Sequence, residues 1–126
     1  RHTPLPVTAY VKSLSDGDFT YEDGTHGQGG RTAVLRVGQQ IHVLATERSV
    51  YVVGRKVYQA QGLDPTEFDL VIVKSPTGFR THYESIATRI VPVDVPGATS
   101  ANLRSLPYER CVRPIFPLDE NVSPPL

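Results

Sequence analysis

The run Leu70-Val71-Ile72-Val73 sets four aliphatic residues side by side and ends in Lys74-Ser75-Pro76. A strand with one wet face alternates apolar and polar residues, whereas an unbroken aliphatic run suits a strand covered on both faces. Phe68 to Val73 is therefore expected to be a buried strand. A helix from Thr77 to Thr88 should follow, with Phe79, Tyr83, Ile86 and Ala87 on one face. Ile90 to Asp94 reads as a second strand, at a sheet edge because of Pro92. Strand, helix, strand implies a right-handed βαβ unit with parallel strands. Lys74, Ser75 and Arg80 then stand where polar chemistry gathers in such units, beside helix N–H groups that favour an anion or carboxylate. The same residues also fit a purely structural junction whose Lys and Arg are solvated.

The N-terminal half has a different period. Leu5, Val7, Ala9 and Val11 alternate with Pro6, Thr8, Tyr10 and Lys12, and Asp16-Gly17 suits a tight turn into Phe19 to Glu22, giving a first hairpin. Residues 23–30 hold Gly24, Gly27, Gly29 and Gly30 and read as an exposed, flexible loop, a candidate mobile flap. Thr32 to Val37 and Ile41 to Thr46 flank Gly38-Gln39-Gln40 as a second hairpin. A short helix is expected over Val53 to Gln61, stopped by Gly62 ahead of Asp64-Pro65. Ser100 is placed to cap a helical turn through Asn102 and Leu106, and Pro107, Pro114 and Pro117 keep the remainder extended. The expected fold is α+β, with N-terminal antiparallel β-hairpins packed with a C-terminal βαβ unit. It occupies a single domain over residues 1–119, followed by a Pro-rich tail over 120–126.

Composition removes several function classes. The 126 residues carry 13 Lys plus Arg against 13 Asp plus Glu, so no net field favours nucleic acid or an anionic membrane. No apolar run approaches the roughly 20 residues of a membrane helix. Cys111 is the lone cysteine, which excludes an internal disulfide and leans towards a reducing, cytoplasmic setting with a buried, inert thiol. His2, His26, His42 and His82 lack metal-ligand spacing, so no metal site is expected in this chain. Ser75 lacks the Gly-x-Ser-x-Gly setting of a nucleophile elbow, and no catalytic residue is assigned. The absence of Met, even at position one, reads as a chain cut from something longer.

Several segments together resemble the C-terminal domain of MlrC-like (microcystinase C-type) metallopeptidases. They are Gly30-Arg31-Thr32-Ala33-Val34-Leu35, Gly62-Leu63-Asp64-Pro65, and Val73-Lys74-Ser75 with Phe79-Arg80. Asp94-Val95-Pro96-Gly97, Leu106-Pro107-Tyr108 and Arg113-Pro114 through Pro117-Leu118-Asp119 continue the series. The resemblance implies that an N-terminal catalytic domain precedes this one in the same polypeptide and holds the zinc. The parent would hydrolyse small peptides or amides through a zinc-activated water. This chain alone would be inactive and would hold no cofactor. Lys74, Ser75, Phe79 and Arg80 would face the substrate cleft, with Arg80 orienting a substrate carboxylate. At Gly78 the sequence departs from the family pattern, which often has His there. The alternatives are a stand-alone module binding an anion or carboxylate near Ser75, and a structural or assembly domain.

Overall fold

The computed structural model describes residues 3–95, 102–120 and 122–123. By its internal contacts the chain divides into two compact units, Arg1–Thr88 and Arg89–Leu126.

The first unit is built on β1 (Ala9–Ser15), β2 (Asp18–Thr20), β3 (His26–Gln28), β4 (Thr32–Val37) and β5 (Ile41–Thr46). β1, β4 and β5 form an antiparallel sheet with β4 in the middle, and β2 and β3 form a two-stranded ribbon. Register decides what each sheet face carries, because directly paired residues point the same way. Val34 sits between Ser13 and Leu44, and Thr32 between Ser15 and Thr46. This face is buried around Val34 and Thr32. Val11 pairs with Leu35 and Leu14 with Ala33, opposite Val43 and Ala45, so the other face is wholly apolar. A bulge between Val11 and Ser13 keeps Leu14 on the face of Val11 although they stand three positions apart, an odd spacing that would otherwise put them on opposite faces. That apolar face is open: Leu14 is 76% and Ile41 62% exposed.

Two short helices follow, α1 (Lys56–Gln59) and α2 (Arg80–Tyr83), with a 3₁₀ turn over Pro65–Glu67 between them. Gly62 ends α1 in a left-handed conformation, φ 72°. The Leu63 N–H donates to the Tyr58 carbonyl at 3.1 Å and the Gly62 N–H to that of Gln59 at 3.0 Å, which is the double closure of a Schellman motif. Asp64 then accepts from the Thr66 N–H at 3.0 Å and opens the 3₁₀ turn, with Pro65 as its first residue. Phe19, Val34, Val57, Leu63 and Tyr83, with Pro65, are the buried apolar side chains among the described residues.

The α+β class, the antiparallel N-terminal half and the β4–β5 hairpin agree with expectation. The βαβ unit does not. Neither 68–73 nor 90–94 joins a sheet, and the helix expected over Thr77 to Thr88 is regular only at Arg80–Tyr83. Instead of being buried, Leu70 is 76% and Ile72 82% exposed. A strand of consecutive aliphatic residues needs apolar cover on both faces, and helices of one turn do not provide it.

The first expected hairpin also differs, because β1 pairs with β4 and not with β2. Nor is the Gly-rich segment a flexible exposed loop. It contributes β3, and Gly27 and Gly29 are buried. A β-carbon on Gly27 would lie 2.5 Å from the Phe19 ring, and the Gly29 N–H donates to the Gly17 carbonyl at 2.8 Å. These glycines serve close packing, a use that composition alone does not separate from flexibility.

In the second unit a 3₁₀ turn spans Leu103–Ser105, close to the expected helical turn, while Ser100 lies outside the described residues. Farther on, the Arg113 guanidinium grips the Asp119 carboxylate through Nε at 2.6 Å and through Nη2, and Asp119 also accepts from the Ile115 N–H at 2.6 Å. The paired Arg113 holds the Asp119 carboxyl below its usual range. Cys111 is a half-buried free thiol, more open than expected. Asn121 and Pro124–Leu126 of the expected tail lie outside the described residues.

A flexible flap would gain stability from Gly27→Ala through a less flexible unfolded chain, by up to about 1 kcal/mol. The packing against Phe19 predicts the reverse, a loss of about 2 kcal/mol. Gly24→Ala meets no atom within 4 Å and bears only the left-handed penalty at φ 84°, about 1 kcal/mol. Urea denaturation of both variants checks this ranking.

Candidate functional site

The stretch from Lys74 to Arg80 is held in place from a distance. Its support begins at Glu22, in the loop between β2 and β3, whose Oε1 accepts the Arg55 N–H at 2.5 Å and the Lys56 N–H at 2.8 Å. Arg55, the N-cap of α1, makes no side-chain capping bond. A carboxylate 34 residues upstream of Lys56 therefore satisfies N–H groups that helix geometry leaves open. Nearby, the Tyr21 hydroxyl accepts from the Tyr51 N–H at 3.0 Å. The Tyr83 hydroxyl donates to the Gly54 carbonyl at 3.0 Å and so ties α2 to the same 51–56 loop. Burial pushes the Tyr83 phenol far above its ordinary range, so it stays a donor.

From that loop Val53 reaches Gly78. A β-carbon there would stand 3.1 Å from Val53 Cγ1 and 3.4 Å from Ser75 Oγ. A histidine at position 78 would thus need Val53 to give way by a few tenths of an ångström, and glycine accepts the approach as it is. Just before, the Ser75 N–H donates to the Val73 carbonyl at 3.0 Å, a local closure across Lys74. Lys74 is exposed and Ser75 half-buried. Among the described residues the Lys74 side chain enters no ion pair or hydrogen bond.

Phe79 and Arg80 form a unit. The Arg80 guanidinium lies over the Phe79 ring, 5.3 Å from its centroid, and Nη1 is 2.6 Å from Glu84 Oε1 one turn along. Both members of that pair are about half exposed, so it contributes well under 1 kcal/mol and exchanges readily for another carboxylate. Ser75 lies beside Gly78, and Phe79 meets Arg80, whereas among the described residues no hydrogen bond or ring contact joins Lys74 to Arg80. An anion bound by the dipole of α2 loses its physical basis, since α2 is one turn long. Sequence reading missed Glu22, Gly54 and Tyr83 as supports. The one available signal was an α1 start without a capping residue of its own.

Among the described residues, no group of three or more His, Cys, Asp or Glu side chains is placed to hold a metal. His26 stands 3.5 Å from Asp18, and His42 sets its ring edge-on to Phe68 with centroids 5.3 Å apart. Zinc therefore finds no fitting donor set in them. His2 lies outside the described residues. No described helix is long and apolar enough to cross a membrane.

The family model described as MlrC C-terminus matches residues 1–110. No curated protein and no solved structure matches the chain.

Burial pushes the Glu22 carboxyl up, but the N–H groups of Lys56, Glu22 itself and Arg55, with His82 nearby, outweigh it and leave the pKa below the ordinary value. A depressed folded-state pKa stabilises the fold above the unfolded value, and the effect fades as pH falls through the folded value. Glu22→Gln keeps an acceptor and loses the charge. It is expected to cost about 1 kcal/mol at neutral pH, with wild type and variant converging in acid. Urea denaturation across that range checks it, and a gap that widens towards acid would contradict it.

Proposed function

This chain belongs to the MlrC C-terminal family, and on that premise we propose that it is the accessory domain of a zinc-dependent metallopeptidase or amidohydrolase resembling microcystinase C. The family is by description the C-terminal part of a larger polypeptide. In this reading the preceding catalytic domain holds the zinc and its ligands, the substrate is a small peptide or amide, and the protein works in the cytoplasm. The present chain supplies one wall of the substrate cleft through Lys74, Ser75, Phe79 and Arg80.

The observation that supports this assignment is a division among the segments that carry the resemblance. Gly30 to Leu35 forms β4 with its lead-in, where Thr32 Oγ1 donates to the Gly30 carbonyl at 2.8 Å. Gly62 to Pro65 closes α1 and opens the 3₁₀ turn. Arg113 to Asp119 is a self-contained clasp. Each has a local folding duty. Among the described residues the Lys74 side chain has none, and that of Arg80 is engaged with the adjoining Phe79 and an exposed Glu84. A residue set without a folding duty is the natural seat of recognition.

In operation, Arg80 would exchange Glu84 for a substrate carboxylate, with the Phe79 ring keeping the guanidinium plane in place. Lys74 would add a point charge and Ser75 a hydroxyl. The open apolar face of β1, β4 and β5 supports a second role, in assembly, and kinetics separates the two. In the longer polypeptide, Arg80→Ala is expected to raise KM for a peptide with a free C-terminal carboxylate about tenfold. The kcat should stay near wild type and KM for the amidated peptide should not change. Equal effects on both peptides, or none on either, would remove Arg80 from substrate binding and leave the assembly role.

A further inference from the structure

Residues 70–74 combine three features that do not fit a finished surface. The sequence is aliphatic at Leu70, Val71, Ile72 and Val73 without interruption. Exposure nevertheless alternates strictly, with Leu70, Ile72 and Lys74 exposed and Val71 and Val73 half-covered, which is the period of an extended strand. From Leu70 to Val73 the run contains no helix, turn or bend, and it enters no ladder. Among the described residues, the bonds to its backbone are the Tyr58 hydroxyl donating to the Ile72 carbonyl at 3.2 Å and the Ser75 N–H donating to Val73. Extended backbone with open N–H and C=O groups and bare aliphatic side chains is a template for strand pairing.

We infer that residues 70–74 are a strand whose sheet is supplied by the polypeptide preceding this domain in MlrC-like proteins. The side chains identify the occupant. Consecutive aliphatic residues call for a sheet covered by apolar layers on both faces, as in helix-flanked parallel sheets. A second copy of this chain lacks such layers, since its described helices span three or four residues each. Pairing would seat Leu70 and Ile72 in an apolar layer and satisfy the vacant backbone groups. It would also deliver Lys74 and Ser75 to the end of a sheet strand. The inference rests on the accessory-domain reading for the existence of the preceding polypeptide, and not on any role in substrate binding.

Hydrogen exchange on the longer polypeptide, compared with the 126-residue chain, tests it. Amides of residues 70–74 are expected to exchange at least about a hundredfold more slowly in the longer protein, while β4 is protected in both. Ile72→Lys in the longer protein should abolish the protection over 70–74 and spare β4. Fast exchange over 70–74 in both proteins would overturn the inference. So would protection in the 126-residue chain that grows with its concentration, since the partner would then be a second copy. Should Ile72→Lys fail to fold, the wild-type comparison still decides. Protection at 70–74 without a KM effect of Arg80→Ala would sink the substrate role alone; the converse would sink the strand alone.

Discussion

The carboxylate of Glu22 joins the sheet half of the first unit to its helical half. It leaves the β2–β3 loop and closes on the N–H groups of Arg55 and Lys56, and that contact fixes where α1 starts. The loop just before α1 carries the Gly54 carbonyl that Tyr83 grips, and Val53, which sets the distance to Gly78. Lys74, Ser75, Phe79 and Arg80 therefore take their positions through a chain of three contacts. Few side chains back it up, because the buried apolar set is small. With so little core, each hydrogen bond to a charged group matters more than it would in a larger domain.

Local signals were legible where one residue decides one conformation. Gly38 between two β-branched runs predicts the β4–β5 hairpin, and Gly62 before Asp64-Pro65 predicts the end of α1 and a fresh start. Signals failed where the deciding partner is remote in sequence. Asp16-Gly17 has the composition of a hairpin turn, yet β1 finds β4 because Val11 and Leu14 pair with Leu35 and Ala33 on one apolar face. Gly27 looks like a hinge until the Phe19 ring is placed against it. No sequence pattern announces that Glu22 will cap a helix beyond β5.

Leu70 to Val73 is a different kind of failure. The strand expected there does not form: the run is extended and its exposure alternates with the strand period, but it joins no sheet and the burial its pattern demands is missing. Hydrophobic patterning records the environment in which a chain works, which for a C-terminal domain includes the rest of its polypeptide. The uncovered face around Val11, Leu14, Ile41 and Val43 carries the same message from another part of the first unit. The candidate site was legible as residues and illegible as geometry: Lys74, Ser75, Phe79 and Arg80 stand out in sequence, while the Arg80 pairing with Glu84 and the one-turn length of α2 are set by the folded chain.

The proposed function is a division of labour in which this chain would shape a cleft and another part of the polypeptide would hold the zinc. Titration of the 126-residue chain with zinc in a calorimeter, with peptide turnover followed in the same samples, tests that division most directly. The account predicts no stoichiometric tight binding and no turnover. One tightly bound zinc per chain accompanied by peptide hydrolysis would contradict it.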